Sequence, residues 1–373
     1  MARPEQPDFI THKTERLELI SSLPADIPFD PFLYALFWYG EITPLRKVVQ
    51  DTLESAIWTS RQSARDFIFC WMKRMGTSRS CEPSRASTRS SSPAPELQPF
   101  SAGPSVPEPS AETHTPQRLP AGSYSAIKRS SSAVANAKYR DRERCIITHV
   151  GYPDVVHIFP FCLVDRHKEI TKFFLKHLLL FFPDNLKTWS EAIWRGGGEY
   201  VDSCENLMCL SPNAHMFLSK GCFGLEPLTK SPDERELTMR VHWFNQEGYS
   251  CNRSFSTVPE LFKSASGTKL EGGPNGSAMA DHSSSQDGQV RLVKSGDHVT
   301  MRTADPYSFP LPDMHILHMQ FRMQLLVAAS GAAAESTVQS TPVDLDGPSD
   351  SCDLYISDPV EEFGREHGLI DDY

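Results

Sequence analysis

The 373-residue sequence lacks a Cys-x-x-Cys pair, a membrane-length apolar run and any excess of basic residues. Without closely spaced cysteines, a structural zinc site is disfavoured, because such sites normally draw their ligands from tight pairs. Since no run reaches about 18 apolar residues, no membrane-spanning helix is predicted. The start, Met1–Glu5, also lacks the apolar run of a signal peptide. With nine cysteines, an odd number, these absences predict an intracellular protein with reduced thiols and leave nucleus or cytoplasm open.

The acidic charge of the chain is concentrated at its C-terminal end. The net charge is −10, and residues 344–373 contain ten acids and one arginine, which leaves −1 for the remainder. A nearly neutral remainder disfavours strong affinity for nucleic acid, because that affinity depends largely on neutralising phosphates.

Composition divides the chain into ordered and disordered segments. Tracts rich in serine, proline or glycine contain too few large apolar groups to offset the entropy lost on ordering. The six predicted segments are an N-terminal helical segment (1–76), a disordered Ser/Pro-rich linker (77–134), a folded block (135–262), a flexible insert (263–288), a second ordered part (289–332) and a disordered acidic tail (333–373).

Periodicity and capping signals predict several elements outside the central block. Apolar residues at three- and four-residue steps predict core-facing helices over residues 27–75, with Thr43-Pro44 as a helix start. Two β-type runs, 289–293 and 299–303, predict a strand pair around Ser295-Gly296-Asp297. A further helix is predicted over residues 314–329.

A predicted hairpin contains the first candidate functional residue. Cys145–Thr148 and Val155–Ile158 are short β-type runs, and Gly151-Tyr152-Pro153-Asp154 between them is typical of a turn. His157 lies near the end of the second run, before Pro160, which stops the strand. A lone histidine on a strand is more often structural than catalytic.

A predicted short helix contains the second candidate residue. Ser211 is a typical N-cap, Pro212 occupies the first helical position, and Gly221 follows the expected end. His215 therefore lies in the first turns, where the positive end of the helix dipole favours a neutral imidazole that can bind a metal ion. Asn206 lies in the loop before this helix.

The order of these segments resembles the fungal HNH (ββα-metal) endonuclease-domain proteins. The matching text is Cys145-Ile-Ile-Thr148, His157-Ile-Phe-Pro-Phe161, Asn206-Leu-Met-Cys-Leu-Ser211 with His215, and Gly221-Cys-Phe-Gly-Leu-Glu-Pro227, with weaker matches at 241–244, 305–306 and 309–312. The resemblance implies an α+β fold with a ββα-metal finger embedded in a mixed domain. Residues 135–262 would be the nuclease-like domain with a helical insert, and residues 289–332 would complete it.

The resemblance also implies a metal-dependent endonuclease that hydrolyses phosphodiester bonds in nucleic acid, with DNA as the expected partner. His157 would act as the general base, His215 would hold a divalent cation (Mg²⁺ or Mn²⁺ rather than zinc), and Asn206 would orient the loop or touch the metal. Exposed basic residues are candidates for phosphate contacts. They are Lys220, Arg140, Arg142 and Arg144.

Two departures from the family pattern keep a second interpretation open. Many HNH sites place an acid or a histidine directly before the base histidine as a metal ligand, but Val156 stands there. Also, 48 residues separate His157 from Asn206. Their apolar pattern predicts two helices packed on the finger. Candidates for the second metal ligand are Asp154, Asp202 and Glu205.

The alternative is a catalytically weak or inactive HNH-fold protein that acts as a binding module. The near-neutral remainder of the chain favours it, and the linker and the acidic tail offer sites for protein partners.

Overall fold

The computed structural model describes most of the chain outside the predicted linker and tail. The described residues are 9–23, 27–50, 54–72, 129–165, 168–194, 202–244, 254–261, 279–283 and 291–332. The disorder predicted for the linker and for the acidic tail falls on residues 77–128 and 333–373, which lie outside this part, as does most of the flexible insert predicted at 263–288.

The described residues before position 77 form four helices, in agreement with the helical prediction for this segment. They are α1 (Lys13–Ser21), α2 (Pro31–Tyr39), α3 (Ile42–Gln50) and α4 (Glu54–Met72). Helix α2 begins where the Asp30 carboxylate accepts hydrogen bonds from the N–H groups of Phe32 and Leu33, and Pro31 occupies its first position. Every residue of α2 is buried. Helix α3 starts at Ile42, one residue before the predicted Thr43-Pro44 start.

The last helix, α9 (Met314–Ser330), lies at the centre of the core, and its prediction is confirmed. Asp313 caps its first turn by accepting from the N–H groups of His315 and Ile316, and Gly331 ends it at φ 65°. Helix α9 packs against α2, α4, helix α7 (Pro183–Trp194) and strand β3 (Phe223–Lys230). It therefore joins the N-terminal helices to the central block of the chain.

The described residues of the central block form four helices and four strands. Its helices are α5 (Ser131–Arg140), α6 (Glu169–Phe181), α7 (Pro183–Trp194) and α8 (Pro212–Ser219), and its strands are β1 (Asp154–His157), β2 (Leu207–Leu210), β3 (Phe223–Lys230) and β4 (Glu236–Trp243). Helices α6 and α7 confirm the predicted helical insert and bury most of its aromatic residues. Helix α5 had no sequence signal and begins within the segment predicted as linker.

The sheets are small and antiparallel. Their strand pairs differ from those predicted for both hairpins. Strand β1 pairs with β2, in the register His157 opposite Leu207, and not with residues 145–148. Residues 145–148 form a turn in which the Cys145 Sγ accepts the N–H groups of Ile147 and Thr148. These hydrogen bonds to the Cys145 thiol help to hold residues 145–148 in a tight turn, and the segment does not form a strand.

The predicted pair at 289–293 and 299–303 is also wrong in its partners. Strand β6 (Arg291–Leu292) pairs with β5 (Ala280–Asp281), and β7 (His298–Arg302) pairs with β4 in the three-stranded sheet β3-β4-β7. Both runs contain strands, as predicted, but β6 pairs with a strand nine residues before it and β7 with one more than 50 residues before it. The fold of the described residues is therefore α+β, with mixed helices and small sheets. None of its helices is long and apolar enough to cross a membrane.

Candidate functional site

Strand β1 lies between two helices, and its two faces contact different ones. Val155 packs against a buried cluster that includes Ala133 and Ala137 of α5. Because side chains alternate along a strand, His157 shares this face, whereas Asp154 and Val156 point to the other one. The Asp154 side contacts α8. The residues of β1 therefore contribute to two environments.

His157 lies on the α5 side in a buried pair with Asp202. Its Nε2 is 3.1 Å from the Asp202 Oδ1, and the histidine is only 6% exposed. The other carboxylate oxygen of Asp202 accepts the backbone N–H of Ser130, which fixes its orientation. The His157 Nδ1 is buried and makes no hydrogen bond within the described part of the chain. A buried polar atom of this kind calls for a ligand or a chemical role.

An aromatic ring covers the His157 imidazole. The ring of Phe161 lies 5.0 Å from it between centroids, and the guanidinium of Arg129 lies over the Phe161 ring at 5.4 Å. Phe161 belongs to the single 3₁₀ turn that follows β1. Arg129, which precedes His157 in the chain, and Phe161, which follows it, thus shield the imidazole from solvent.

Asn206 holds the segment that follows His157. Its Oδ1 accepts the N–H of Phe159 at 2.7 Å, and its Nδ2 donates to the carbonyl of the same residue at 3.2 Å. Its own backbone carbonyl accepts the N–H of Ile158 at 2.9 Å. Asn206 is 2% exposed. In the structure the amide orients this loop through its two hydrogen bonds to Phe159.

His215 pairs with Asp154 on the opposite side of β1, close to solvent. The His215 Nδ1 lies 3.1 Å from the Asp154 Oδ2, and the side chains are 25% and 50% exposed. Helix α8 places the imidazole in its first turns as predicted, since Ser211 accepts the N–H of Ala214 and Pro212 is its first residue. The two imidazoles therefore contact two different carboxylates, on different faces of one strand.

The basic residues near the site have unequal surroundings. Arg140 is fully buried, with Asp141 as its ion-pair partner, so the expectation that it contacts phosphate is wrong. Its guanidinium donates to the carbonyls of Cys204, Leu207 and Pro310 and so joins α5 to β2. Arg142 and Arg144 are exposed in the loop that follows α5, and Lys220 is half-buried at the end of α8.

The cysteines near the site are buried thiols. Burial raises the pKa of Cys222 to about 12 and also raises the pKa of Cys204 and Cys209. Zinc binds the thiolate, so this environment disfavours cysteine ligation. Among the residues that the structure describes, no group of three or more His, Cys, Asp or Glu side chains is placed to hold a metal ion.

Sequence reasoning identified the histidines but not their partners. Asp154 and Asp202 were weighed only as metal ligands, and their pairing with His215 and His157 spans 61 and 45 residues. For Asp154 the strand alternation is a usable signal, because it predicts the face shared with Val156. For Asp202 no local pattern points to His157.

The comparison with protein families covers the segment that contains these residues. A family described as HNH endonuclease matches residues 145–226, a stretch that starts at the Cys145 turn, includes β1, β2 and α8, and ends within β3. The match supports an HNH-domain protein with a nuclease-type domain. HNH domains generally bind a divalent metal ion, and the family implies binding of nucleic acid. No curated protein and no solved structure matches the chain.

Proposed function

We propose that the protein is a metal-dependent HNH endonuclease that hydrolyses phosphodiester bonds in DNA. The proposal rests on one observation above the others: β1 and α8 bring Asp154 and His215 together at the surface, while Asn206 secures the loop after His157 on the same strand. In this proposal residues 135–262 form the ββα-metal domain, and residues 289–332 complete it.

The donor set at Asp154 and His215 fits a divalent cation. One carboxylate and one imidazole suit Mg²⁺ or Mn²⁺, which take few protein ligands when phosphate and water complete the shell. The Asp154 Oδ2 and the His215 Nδ1 lie 3.1 Å apart as a hydrogen-bonded pair, so both donors could reach one ion. Asp154 would thus supply the ligand that Val156 cannot. The bound ion would polarise the phosphate and stabilise the leaving oxygen.

His157 supplies the general base, and Asp202 is its positioning residue. A hydrogen bond from the Nε2–H to the Asp202 carboxylate fixes the tautomer whose Nδ1 carries a free lone pair. The Nδ1 then takes a proton from the attacking water, as the imidazole does in other acid–base sites. This nitrogen is buried, so water reaches it only when the surrounding side chains move. Arg142, Arg144 and Lys220 remain our candidates for phosphate contacts.

A second candidate function is a binding module with an HNH fold and little or no activity. It is favoured by the burial of the His157 Nδ1 and by the separation of the two His–carboxylate pairs onto different faces of β1. In that case the protein binds nucleic acid but leaves its phosphodiester bonds intact.

Plasmid nicking separates the two candidates. Supercoiled DNA is incubated with Mg²⁺ or Mn²⁺ and the wild type, His157→Ala, or His298→Ala, an exposed histidine on β7 that serves as the control. We expect His157→Ala to lower the nicking rate by about 10²- to 10⁴-fold, the usual contribution of a general base, and His298→Ala to match the wild type. Equal nicking by all three proteins would remove His157 from the mechanism. Binding without nicking by the wild type would favour the binding module.

Metal binding is tested without reference to activity. Mn²⁺ titrations followed by electron paramagnetic resonance compare the wild type with Asp154→Asn and His215→Ala. We expect both variants to weaken Mn²⁺ binding by at least tenfold, because each removes one of two protein ligands. Unchanged binding by either variant would exclude that residue from the metal site.

A further inference from the structure

The loop between α5 and β1 contains most of the strained backbone in the described chain. Four of the six non-glycine residues with positive φ lie in it, namely Arg142, Glu143, His149 and Tyr152. Such conformations carry a free-energy cost, and they persist where the surrounding structure enforces them. Here the enforcing contacts are a bridge between Arg144 and Gly151 and a hydrogen bond from the Cys145 N–H to the Val150 carbonyl.

Tyr152 combines this strain with nearly complete exposure. Its φ is 54° and its side chain is 99% exposed, so the ring gains no packing in return for the unfavourable backbone. The next residue, Pro153, is buried and anchors the chain directly behind it. The backbone that carries this outward-facing ring is held by the closed loop, so mainly side-chain rotation remains to be lost on binding a partner.

Two exposed arginines lie on the same loop as Tyr152. Arg144 lies opposite the residue before Tyr152, and its guanidinium donates to the carbonyl of His149. Arg142 is exposed on the same loop, Glu143 lies between the arginines, and the half-exposed Asp154, the proposed metal ligand, follows Tyr152 by two residues. Exposed arginines interleaved with an aromatic ring are typical of surfaces that bind single-stranded nucleic acid.

The position of Tyr152 relates it to the proposed cleavage site. It precedes Asp154, the first residue of β1, by two residues. A base stacked on Tyr152 would therefore belong to a nucleotide close to a phosphate held at Asp154.

We propose that Tyr152 is a stacking platform for an unpaired base, so that the protein prefers nucleic acid with a single-stranded stretch beside the cleaved bond. This deepens the proposed function, since it rests on nucleic acid being the ligand, but it does not require cleavage. Every base has a flat π-face, so the platform would accept any base and would select for strandedness and not for sequence.

The test is fluorescence anisotropy with EDTA present, so that no cleavage occurs. The probes are a labelled oligothymidylate single strand and a duplex of equal length. The proteins are the wild type, Tyr152→Ala, Tyr152→Phe and the control Tyr307→Ala, a tyrosine that is 95% exposed in another loop. We expect Tyr152→Ala to weaken single-strand binding about 5- to 100-fold, the loss of one base–aromatic stack, and to change duplex binding less than about twofold. Tyr152→Phe and Tyr307→Ala should match the wild type.

Several results would overturn the proposal. They are single-strand binding by Tyr152→Ala equal to that of the wild type, an equal loss on the duplex, a loss in Tyr152→Phe as large as in Tyr152→Ala, and no single-strand binding by the wild type. Failure of the nuclease proposal is separate, because it shows as absent plasmid nicking. If the wild type nicks DNA and Tyr152→Ala binds the single strand as tightly as the wild type does, the nuclease proposal stands and the stacking platform is excluded.

Discussion

Replacing Asn206 with alanine removes the side chain that holds the loop after β1. The amide makes two hydrogen bonds, both to the backbone of Phe159, at a position where neither residue is exposed by more than 2%. Alanine leaves the Phe159 N–H and C=O without these partners in the core. Each lost bond and each unpaired buried group destabilises the fold by about 1 to 3 kcal/mol.

We therefore expect Asn206→Ala to lower the free energy of unfolding by about 2 to 5 kcal/mol. Asn206→Asp should be at least as destabilising at neutral pH, since it retains the acceptor, loses the donor and places a buried carboxylate against the Phe159 carbonyl. Part of that loss should return at acidic pH, when the carboxyl is protonated and can donate again.

Urea unfolding followed by tryptophan fluorescence measures the effect, because Phe159 packs against Trp71 and Trp194. The matched control is Asn136→Ala, which removes one 3.4 Å hydrogen bond to the Ser308 carbonyl and should shift stability by no more than about 0.5 kcal/mol. An Asn206→Ala protein within that same margin of the wild type would refute the assigned role of the amide.

Two further predictions concern packing and pH. Gly221→Ala should lower the free energy of unfolding by about 2 to 4 kcal/mol, since φ is +60° and a Cβ would lie 2.6 Å from the Val327 Cγ1. Gly296→Ala is the control: φ is +94° and no atom lies within 4 Å of the added Cβ, so only backbone strain of about 1 to 2 kcal/mol should be lost from the stability. Equal destabilisation of the two variants would contradict a steric clash with Val327. Burial lowers the pKa of His177 to about 4. Below about pH 6.5 the unfolded chain therefore binds a proton at this residue that the folded protein does not bind. The free energy of unfolding thus falls by on the order of 2 kcal/mol from about pH 7.5 to 5. His177→Phe should flatten that part of the urea-midpoint profile, and an unchanged pH dependence would exclude His177 as its source.

The helices were the most predictable part of the fold, because their signals are local. Ser211, Pro212 and Gly221 define both ends of α8, and the apolar periodicity defines α9 and the two insert helices. Caps and periodicity act over a few residues, so they can be recognised without knowledge of the tertiary fold. Helix α5 was not predicted, because its alanines and serines give little periodic contrast between apolar and polar positions.

Strand pairing was predicted less well, because the residues of a β-type run do not indicate which other strand it pairs with. Residues 145–148 have β-type side chains, yet the Cys145 thiol bends them into a turn, and β2 from 50 residues downstream takes their place beside β1. The same holds for β6 and β7, which pair with β5 and β4. Sequence proximity favours hairpins, but the packing of whole elements decides the pairing.

Local sequence signals were enough to locate a histidine at the end of one strand, an asparagine before the next, and a histidine in the first turns of a capped helix. No local signal showed that His157 is buried against Asp202, that His215 contacts Asp154 near solvent, or that Arg140 is enclosed. Capping and periodicity arise from neighbouring residues, whereas charge pairing and burial depend on which distant segments the closed core brings within about 3 Å.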